Sequence, residues 1–226
     1  MKRIITTIIL AFISSYASAE AYVVYDADSN SVVHSVNPNE SRSIASLTKL
    51  MTAMVYIDSG DYDIRLLERL LIRSDNEAAE KIARSYRDGY YEFMRAMNKK
   101  SQSLGLEETS FFDPSGLSVF NRSTAREYVN VVIEAEKYPL IRQISATYEK
   151  KIEVGKKRFH TIRNTNALLK DYDNIVLSKT GFTSRAGRCL ALFVESATKR
   201  YAIVILGEPS PEKRTKTART LISMIN

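Results

Sequence analysis

Strand-forming segments lie near both ends of this chain, and a long helical region separates them. Residues 21–25 and 31–36, joined by a polar turn, predict a β-hairpin. Residues 175–181, 188–195 and 201–207 predict three further strands, and a helix is predicted to follow them. This order indicates an α+β fold in which the N-terminal and C-terminal strands form one antiparallel sheet flanked by helices.

The segment between the strands carries helical periodicity. Helices are predicted from about residue 46 to residue 103, interrupted by residues that favour turns: Gly60, Ser74 and Gly89. A further helix is predicted over about 124–136, and Pro139 is expected to end it. We therefore expect a helical part of about residues 46–140 to be inserted between the sheet strands of a single domain, residues 20–226.

Residues 1–19 have the features of a secretory signal peptide. Lys2 and Arg3 precede the apolar run Ile4–Ile13, and the small residues Ala17-Ser18-Ala19 follow it. A membrane span needs about 20 apolar residues, so a cleaved signal peptide is favoured over an uncleaved anchor. We expect the mature protein to be periplasmic or secreted, without a C-terminal anchor domain or a stable membrane anchor.

Composition and charge exclude several classes of protein. With 44% hydrophobic and 26% charged residues, the 226-residue chain is neither disordered nor fibrous. The net charge of +7 is modest, and an exported protein without an aromatic and basic motif is not expected to bind nucleic acid. The basic run Lys213–Arg219 is interpreted as the solvated face of the last helix, with weak attraction to an anionic polymer as the alternative.

The sequence offers little support for metal or imidazole chemistry. His34 and His160 are far apart in sequence and lack a carboxylate-rich partner motif, so neither a zinc site nor a histidine triad is predicted. Cys189, the single cysteine, lies in an apolar stretch, which indicates a core residue of a strand. We expect no metal and no cofactor.

Three short motifs supply hydroxyl, amide and amine groups: Ser46-Leu47-Thr48-Lys49, Ser74-Asp75-Asn76 and Lys179-Thr180-Gly181. Each motif alone is weak, because Ser196–Lys199 and Ser35–Asn37 match parts of the same patterns. Structural context therefore has to separate the motifs from their decoys.

The predicted local structure distinguishes the motifs from the decoys. Apolar residues at helical spacing place Ser46 near a helix N-terminus and Lys49 on the same face, where a partly buried amine can accept the hydroxyl proton. Residues 74–76 are predicted to form a loop that caps the next helix, and the same loop can also deliver a hydroxyl and an amide into a cleft. Lys179 and Gly181 end a strand, where a glycine permits close approach of another backbone segment.

The motifs S-x-x-K, S-D-N and K-T-G, in this order, resemble the set found in β-lactamases and penicillin-binding proteins. The resemblance extends to longer segments: Ile44–Ala53, Asp113–Ser118, Asn121–Arg126, Lys179–Thr183 and Ala186-Gly187. The chain is most similar to the low-molecular-mass penicillin-binding proteins, the serine D,D-peptidases of peptidoglycan, and especially to their D-alanyl-D-alanine endopeptidase branch. A β-lactamase/D,D-peptidase-like fold is implied, with a shortened helical subdomain.

The resemblance implies a role for each residue of the first two motifs. Ser46 is expected to attack the carbonyl of a D-Ala residue in a stem peptide, and Lys49 to accept the hydroxyl proton. Water then releases the acyl group. Ser74 is expected to relay a proton to the leaving amine, and Asn76 to hold the substrate amide.

The strand motif completes the implied site. Lys179 is expected to keep the other motif lysine neutral through charge repulsion and, with Thr180, to orient the substrate. Gly181 and Phe182 are expected to bind substrate, and the backbone N–H groups of Ser46 and Phe182 to form the oxyanion hole. Peptidoglycan stem peptides are the implied substrates and β-lactams the implied covalent inhibitors.

Several reactions are compatible with these residues. A class A β-lactamase is disfavoured because Glu107 and Glu108 lack the neighbours of a deacylating glutamate. Carboxypeptidases of the family commonly have a basic residue between the two Asn before K-T-G, whereas this chain has Thr165. An endopeptidase is therefore the first hypothesis, a carboxypeptidase the second, and a non-catalytic murein-binding relative the rival.

The segment between Ser46 and Ser74 is shorter than is usual in the family. The missing part is expected to wall one side of the cleft. Its loss predicts a more open groove that admits a bulky cross-linked substrate, or alternatively a degenerate enzyme.

Overall fold

The computed structural model describes residues 20–153 and 158–225, and the predicted signal peptide lies outside them. The strands are β1 (Ala21–Asp26), β2 (Ser31–Val36), β3 (Arg42–Ser43), β4 (Arg122–Ser123), β5 (Glu149–Glu153), β6 (Phe159–Arg163), β7 (Ile175–Thr183), β8 (Gly187–Glu195) and β9 (Arg200–Glu208). The α-helices are α1 (Lys49–Asp58), α2 (Ile64–Leu71), α3 (Asn76–Ser85), α4 (Tyr90–Ser103), α5 (Ala125–Glu136), α6 (Pro139–Ser145) and α7 (Pro211–Ser223). Short 3₁₀ helices occupy Ala45–Thr48 and Ala167–Lys170.

One antiparallel sheet joins the two ends of the chain. Its strand order is β2-β1-β9-β8-β7, and every pairing in it is antiparallel. The contact between the N-terminal and C-terminal parts is the β1–β9 ladder, in which Val23 pairs with Val204. The predicted α+β architecture with terminal strands in a shared sheet is confirmed.

Alternating side chains on the sheet form two separate cores. Val23 and Val204 belong to the core shared with α1 to α6, whereas Val24 and Ile203 face the core shared with α7. This alternation follows from the two-residue period of a strand with both faces covered. The sheet is therefore the middle layer between a large helical part and a single final helix.

Helix α1 is the centre of the helical layer. Its residues from Lys49 to Tyr56 are all buried, which is the pattern of a helix surrounded by protein on every side. The short 3₁₀ helix that precedes it, Ala45–Thr48, lies against β7 and β8. A charged residue type at the first position of such a helix is unusual and indicates a specific role for Lys49.

Two elements differ from the sequence-based expectation. The helix predicted over about 124–136 is α5 and ends before Pro139 as expected, but Pro139 also begins a helix that was not predicted, α6, because the ring fits the first turn of a helix, where no backbone donor is needed. The β5–β6 hairpin was not predicted, because its strands show only weak alternation of apolar and charged residues. Each strand has a single buried side chain, Ile152 in β5 and Ile162 in β6. Neither element alters the position of the motifs.

Among the described helices, none has both the length and the apolar character needed to cross a bilayer.

Candidate active site

The turn that carries Ser46 is held rigidly against its neighbours. It is a 3₁₀ helix that leads directly into α1, and Ala45 within it has a left-handed φ of 47°. A Cβ atom on Gly181 would lie 3.0 Å from the Ser46 nitrogen, so β7 approaches this turn more closely than a side chain would allow. The Tyr128 hydroxyl donates a hydrogen bond of 2.5 Å to the Leu47 carbonyl from the other side.

Lys49 lies at the centre of the motif residues. Its Nζ donates to the Ser46 Oγ at 3.0 Å, to the Asn76 Oδ1 at 2.7 Å and to the Ser115 carbonyl at 2.5 Å. These three contacts use all the donors of an ammonium group. The side chain is fully buried, whereas Ser46 is half-buried and Asn76 is exposed. The amine is thus enclosed, while the hydroxyl it contacts is open to solvent.

Burial lowers the pKa of Lys49 to about 7, because the charged form loses its hydration. The carboxylates of Asp113 and Asp75 act in the opposite direction. They do not restore the ordinary value, since each carboxylate is already bound by other groups. A substantial fraction of Lys49 is therefore neutral near pH 7.

The turn at residues 113–118 brings a carbonyl to Lys49. Asp113 accepts hydrogen bonds from the backbone nitrogens of Ser115, Gly116 and Ser118, which fold the chain around its carboxylate. Burial opposes these bonds, but they hold the pKa of Asp113 below its usual range. The folded turn directs the Ser115 carbonyl at the Lys49 amine.

Asn121 and Gly116 lock this turn onto the nucleophile segment. The Asn121 amide donates to the Thr48 hydroxyl at 3.0 Å and to the Asp113 carbonyl at 2.9 Å. Gly116 has φ +86°, and a Cβ there would lie 1.9 Å from the Ala45 carbonyl oxygen. Glycine is therefore required at this contact by both conformation and space.

In the loop at Ser74, two adjacent residues make different contacts. Asp75 caps α3 by accepting from the Glu77 and Ala78 nitrogens, and it pairs with Arg69 at 2.7 Å. Ser74 has a left-handed φ of 61° and turns its hydroxyl toward β7 instead. The predicted cap is thus confirmed, and the same loop brings the Ser74 hydroxyl to Lys179 and the Asn76 amide to Lys49.

Lys179 holds the hydroxyl of Ser74. Its Nζ donates to the Ser74 Oγ at 2.9 Å and to the Thr180 carbonyl at 2.8 Å, and the side chain is buried. Burial lowers its pKa well below the usual range, and the positive charges of Lys49 and Arg214 lower it further. Repulsion between the two lysines thus adds to burial at Lys179, and burial is the main cause of the lowered pKa of Lys49.

The end of β7 borders the site. The Thr180 and Thr165 hydroxyls are 2.5 Å apart, and the Thr165 nitrogen donates to the Ile72 carbonyl at the end of the α2 region. Phe182 is 49% exposed, and the Arg188 guanidinium lies over its ring, 3.4 Å from the centroid. β7 is an edge strand of the sheet, so its outer side faces the motif residues.

The burial of Arg214 was not predicted from the sequence. The interpretation of its basic run as a solvated face is wrong at this position, because Arg214 is 9% exposed and its buried Nε has no hydrogen-bond partner among the described residues. Helical spacing gives the signal, since Arg214 lies four residues before Ala218 and seven before Leu221, both of which are buried. The support that Lys49 receives was also not predicted. It comes from Asp113, Ser115 and Asn121.

The decoy motif has a different environment. Ser196 and Lys199 lie in the turn between β8 and β9. Lys199 forms an ion pair with Asp26 at 2.7 Å, and Asp26 belongs to none of the three motifs. Cys189 is buried within β8, as predicted. In residues 20–153 and 158–225, no cluster of three or more His, Cys, Asp or Glu side chains is arranged to hold a metal ion.

Comparison with known proteins identifies the family. The sequence profile of the peptidase S11 family, described as D-alanyl-D-alanine carboxypeptidase, matches residues 14–66 and 63–210. The chain belongs to this family. The serine-type D,D-peptidase class predicted from the motifs is thereby confirmed.

Relatives in this family are similar over most of the chain. A D-alanyl-D-alanine endopeptidase of Escherichia coli is 38% identical over 84% of this chain and 71% of its own length. One of Pseudomonas aeruginosa is 36% identical over 78% of this chain and 66% of its own length.

A solved structure shows the same fold. Penicillin-binding protein D2 from Listeria monocytogenes, in a cefotaxime-bound form, matches with a TM-score of 0.80 and 24% identity over 90% of this chain and 95% of that protein. The predicted β-lactamase/D,D-peptidase-like architecture is thereby confirmed for this peptidase S11 member.

Proposed function

We propose that this protein is an exported, periplasmic D,D-peptidase that hydrolyses D-Ala-containing cross-bridges between peptidoglycan stem peptides through an acyl-enzyme on Ser46. One observation carries the proposal. The Lys49 amine contacts the Ser46 hydroxyl, and it has a pKa near neutrality and two further acceptors. This arrangement supplies a general base without a histidine.

The proton balance of acylation follows from these contacts. A neutral Lys49 donates its two protons to the Asn76 Oδ1 and the Ser115 carbonyl, which leaves its lone pair directed at Ser46. The lone pair takes the hydroxyl proton as the Ser46 Oγ forms a bond to the D-Ala carbonyl carbon. Lys49 becomes an ammonium group, and the substrate carbonyl becomes a tetrahedral oxyanion.

The leaving amine requires a proton, and Ser74 is the proposed donor. Its hydroxyl can pass a proton to the amine and recover the one that Lys49 took from Ser46, while Lys179 holds the hydroxyl in place at 2.9 Å. This transfer leaves Lys49 neutral again, so it can take a proton from the water that attacks the ester and pass it to the Ser46 oxygen as the acyl group departs. Asn76 is proposed to hold the substrate amide as well as Lys49, since it is exposed at the mouth of the site.

Substrate contacts are assigned to the end of β7. We assign the oxyanion hole to the backbone N–H groups of Ser46 and Phe182, because Gly181 permits β7 to pass close to the Ser46 nitrogen. Thr180 and Gly181 are proposed to line the substrate along the open edge of the strand. Loss of one oxyanion donor typically costs about 10²–10³ in rate.

An endopeptidase is favoured by the relatives and by Thr165. The three curated relatives that are 32–38% identical to this chain are D-alanyl-D-alanine endopeptidases, whereas the carboxypeptidases among the relatives are 25–29% identical. Thr165 binds the Thr180 hydroxyl where a basic residue would bind a carboxylate. The exposed Asn76 is consistent with a groove that is open on that side.

A carboxypeptidase is the second candidate, and Arg214 is compatible with it. This buried guanidinium lies close enough to Lys179 to lower its pKa and has an unsatisfied Nε among the described residues. A cation at this end of the site would bind a carboxylate next to the scissile bond. Both a terminal D-Ala and a cross-linked amino acid with a free carboxyl group present such a carboxylate.

Covalent labelling tests the acyl-enzyme. The mature protein is incubated with a fluorescent penicillin, and the labelled band is measured after denaturing electrophoresis. We expect labelling of the wild type and of Ser196→Ala, the decoy serine, but none of Ser46→Ala. Failure of the wild type to label would favour the non-catalytic murein-binding alternative.

Product analysis decides between the two peptidase activities. Purified cross-linked dimers and uncross-linked pentapeptide muropeptides are digested separately and analysed by liquid chromatography and mass spectrometry. Conversion of dimers to monomers identifies the endopeptidase, and loss of a single terminal D-Ala identifies the carboxypeptidase. Preference for the second substrate would reject the endopeptidase assignment.

A further inference from the structure

An exposed aromatic surface lies next to the nucleophile turn and has no part in the chemistry described above. Phe112 and Phe120 are 61% and 59% exposed, and their ring centroids are 5.4 Å apart. They belong to the loop whose Gly116 packs directly on Ala45. Leu117, which follows that glycine, is also 61% exposed. Large apolar side chains grouped on a surface mark interaction sites.

The aromatic pair opens into a groove along α4. A depression of about 760 Å³ is lined by Phe112, Asn98 and Gln102. A second depression of about 880 Å³ shares Asn98 and Gln102 and continues to Tyr91, which is 84% exposed. A helix of this length extends about 21 Å, so the groove accommodates several units of an extended polymer.

The chemistry of the lining favours an uncharged polar polymer. The acidic side chains of Asp88, Glu92 and Glu107 nearly balance the basic ones of Arg95 and Lys99, so the groove does not select a polyanion. Aromatic faces stand at both ends, and the exposed amide of Gln102 lies between them, whereas the Asn98 amide is bonded to the backbone of Met94 and Phe111. The C–H groups on the face of a pyranose ring pack against aromatic faces, because the face of an aromatic ring carries partial negative charge. Amide side chains form hydrogen bonds with hydroxyl and N-acetyl groups.

We propose that this groove binds the glycan strand of peptidoglycan, with sugar rings on Phe112 and Phe120 and the strand continuing along α4 toward Tyr91. The inference rests on the proposed function, in which the stem peptide is the substrate. Phe112 is three residues from Ser115, whose carbonyl contacts Lys49, so the groove begins within about 11 Å of that contact. A stem peptide of a few residues spans such a distance.

Substrates with and without sugar test the groove. The double variant Phe112→Ser, Phe120→Ser is compared with Phe159→Ser, a matched control in which an equally exposed ring (63%) is removed from β6. The substrates are a cross-linked dimer that carries its disaccharides and the same dimer after an amidase has removed them. We expect the double variant to lose about ten-fold in kcat/KM on the first substrate alone. Equal losses on both substrates, or none on either, would overturn the proposal.

A binding assay separates this inference from the catalytic proposal. Ser46→Ala protein is sedimented with insoluble glycan strands from which all stem peptides have been removed. We expect binding, and its loss when the two phenylalanines are also replaced, whether or not the wild type hydrolyses any muropeptide. Absence of binding to the glycan strands would reject the glycan groove. Binding to anionic phospholipid vesicles is measured in parallel. If the double variant lost that binding while its sedimentation with glycan was unchanged, the groove would also be rejected as a glycan site.

Discussion

Lys179 donates a hydrogen bond of 2.9 Å to the hydroxyl of Ser74, a residue 105 positions earlier in the chain. The contact connects an edge strand of the sheet to a loop of the helical part, so the sheet and the helices meet at the candidate active site. The two residues form one proton-transfer unit in the proposed mechanism. Lys49 and Ser46 form the other.

Removal of either member of the Lys179–Ser74 unit is expected to cost about the same. Ser74→Ala and Lys179→Met should each slow acylation by a fluorescent penicillin by about 10²–10⁴, the usual contribution of acid–base catalysis. The double variant should lose little more than the single ones, because residues that act as a unit give non-additive effects. Lys199→Met is the matched control and should retain the wild-type rate. Multiplicative losses in the double variant would contradict a shared role.

The pH dependence of acylation follows from the state of Lys49. Its pKa of about 7 means that the amine loses its proton, and so becomes a base, as the pH rises through neutrality. The acylation rate should therefore rise about ten-fold per pH unit below pH 6 and level off above pH 8. Lys49→Arg, which stays charged, should acylate slowly at every pH. A wild-type rate that is constant from pH 5 to pH 9 would exclude Lys49 as the base.

The same residue should leave a signature in stability. The unfolded chain binds a proton at Lys49 up to about pH 10.4, whereas the folded protein releases it near pH 7. Between these values the unfolded state binds more protons, so the free energy of unfolding contributed by this group rises with pH. Relative to Lys49→Met, wild-type stability should increase by up to about 1.4 kcal/mol per pH unit in this window. Urea titrations of both proteins from pH 7 to pH 10 measure the difference, and parallel curves would refute it.

Two glycines with positive φ provide a matched pair for the packing of the nucleophile turn. Gly60 has φ +76° and open space around it, so Gly60→Ala should cost about 1–2 kcal/mol from backbone strain alone. Gly116→Ala adds a clash with the Ala45 carbonyl and should cost roughly 3 kcal/mol or more. Where it folds, its penicillin acylation should also fall, because the clash displaces the turn that carries Ser46. Equal destabilisation in thermal unfolding would show that the close contact is unimportant.

The sequence predicted the parts of this protein that depend on local pattern. Ser46 and Lys49 meet because three residues of helix place them on one face, and Gly181 permits the close approach that its strand-end position suggested. The terminal sheet followed from the apolar, strand-forming segments near both ends of the chain. These features require no knowledge of distant contacts.

The supports of the site could not be predicted in the same way. The Ser115 carbonyl reaches Lys49 across 66 positions, and the Thr48 hydroxyl meets Asn121 across 73, so neither contact leaves a local pattern. Lys49 was expected to be only partly buried, and its full burial was also missed. Its burial depends on the packing of α1 within the helical layer, which a motif does not reveal.

Arg214 provides the last test, because a basic residue with a buried, unsatisfied Nε calls for an anionic partner. Within the described part of the chain its Nε has no hydrogen-bond partner, and Arg188 and Lys179 add positive charge nearby. A substrate carboxylate beside the scissile bond would relieve this repulsion and satisfy the guanidinium. Hydrogen bonds to charged groups contribute about 1.5–3 kcal/mol, which corresponds to about 10–10²-fold in kcat/KM.

Arg214→Met is therefore expected to reduce hydrolysis of substrates with a free carboxylate at that position and to leave the amidated analogues unchanged. Arg219→Met is the control, because Arg219 lies on the same helix but is exposed and pairs with Asp171. Removing a buried charge without a carboxylate partner should also raise the unfolding temperature of the free Arg214→Met protein, since the desolvation cost disappears. An equal loss of activity on carboxylate and amide substrates would assign Arg214 to packing of α7 and not to recognition.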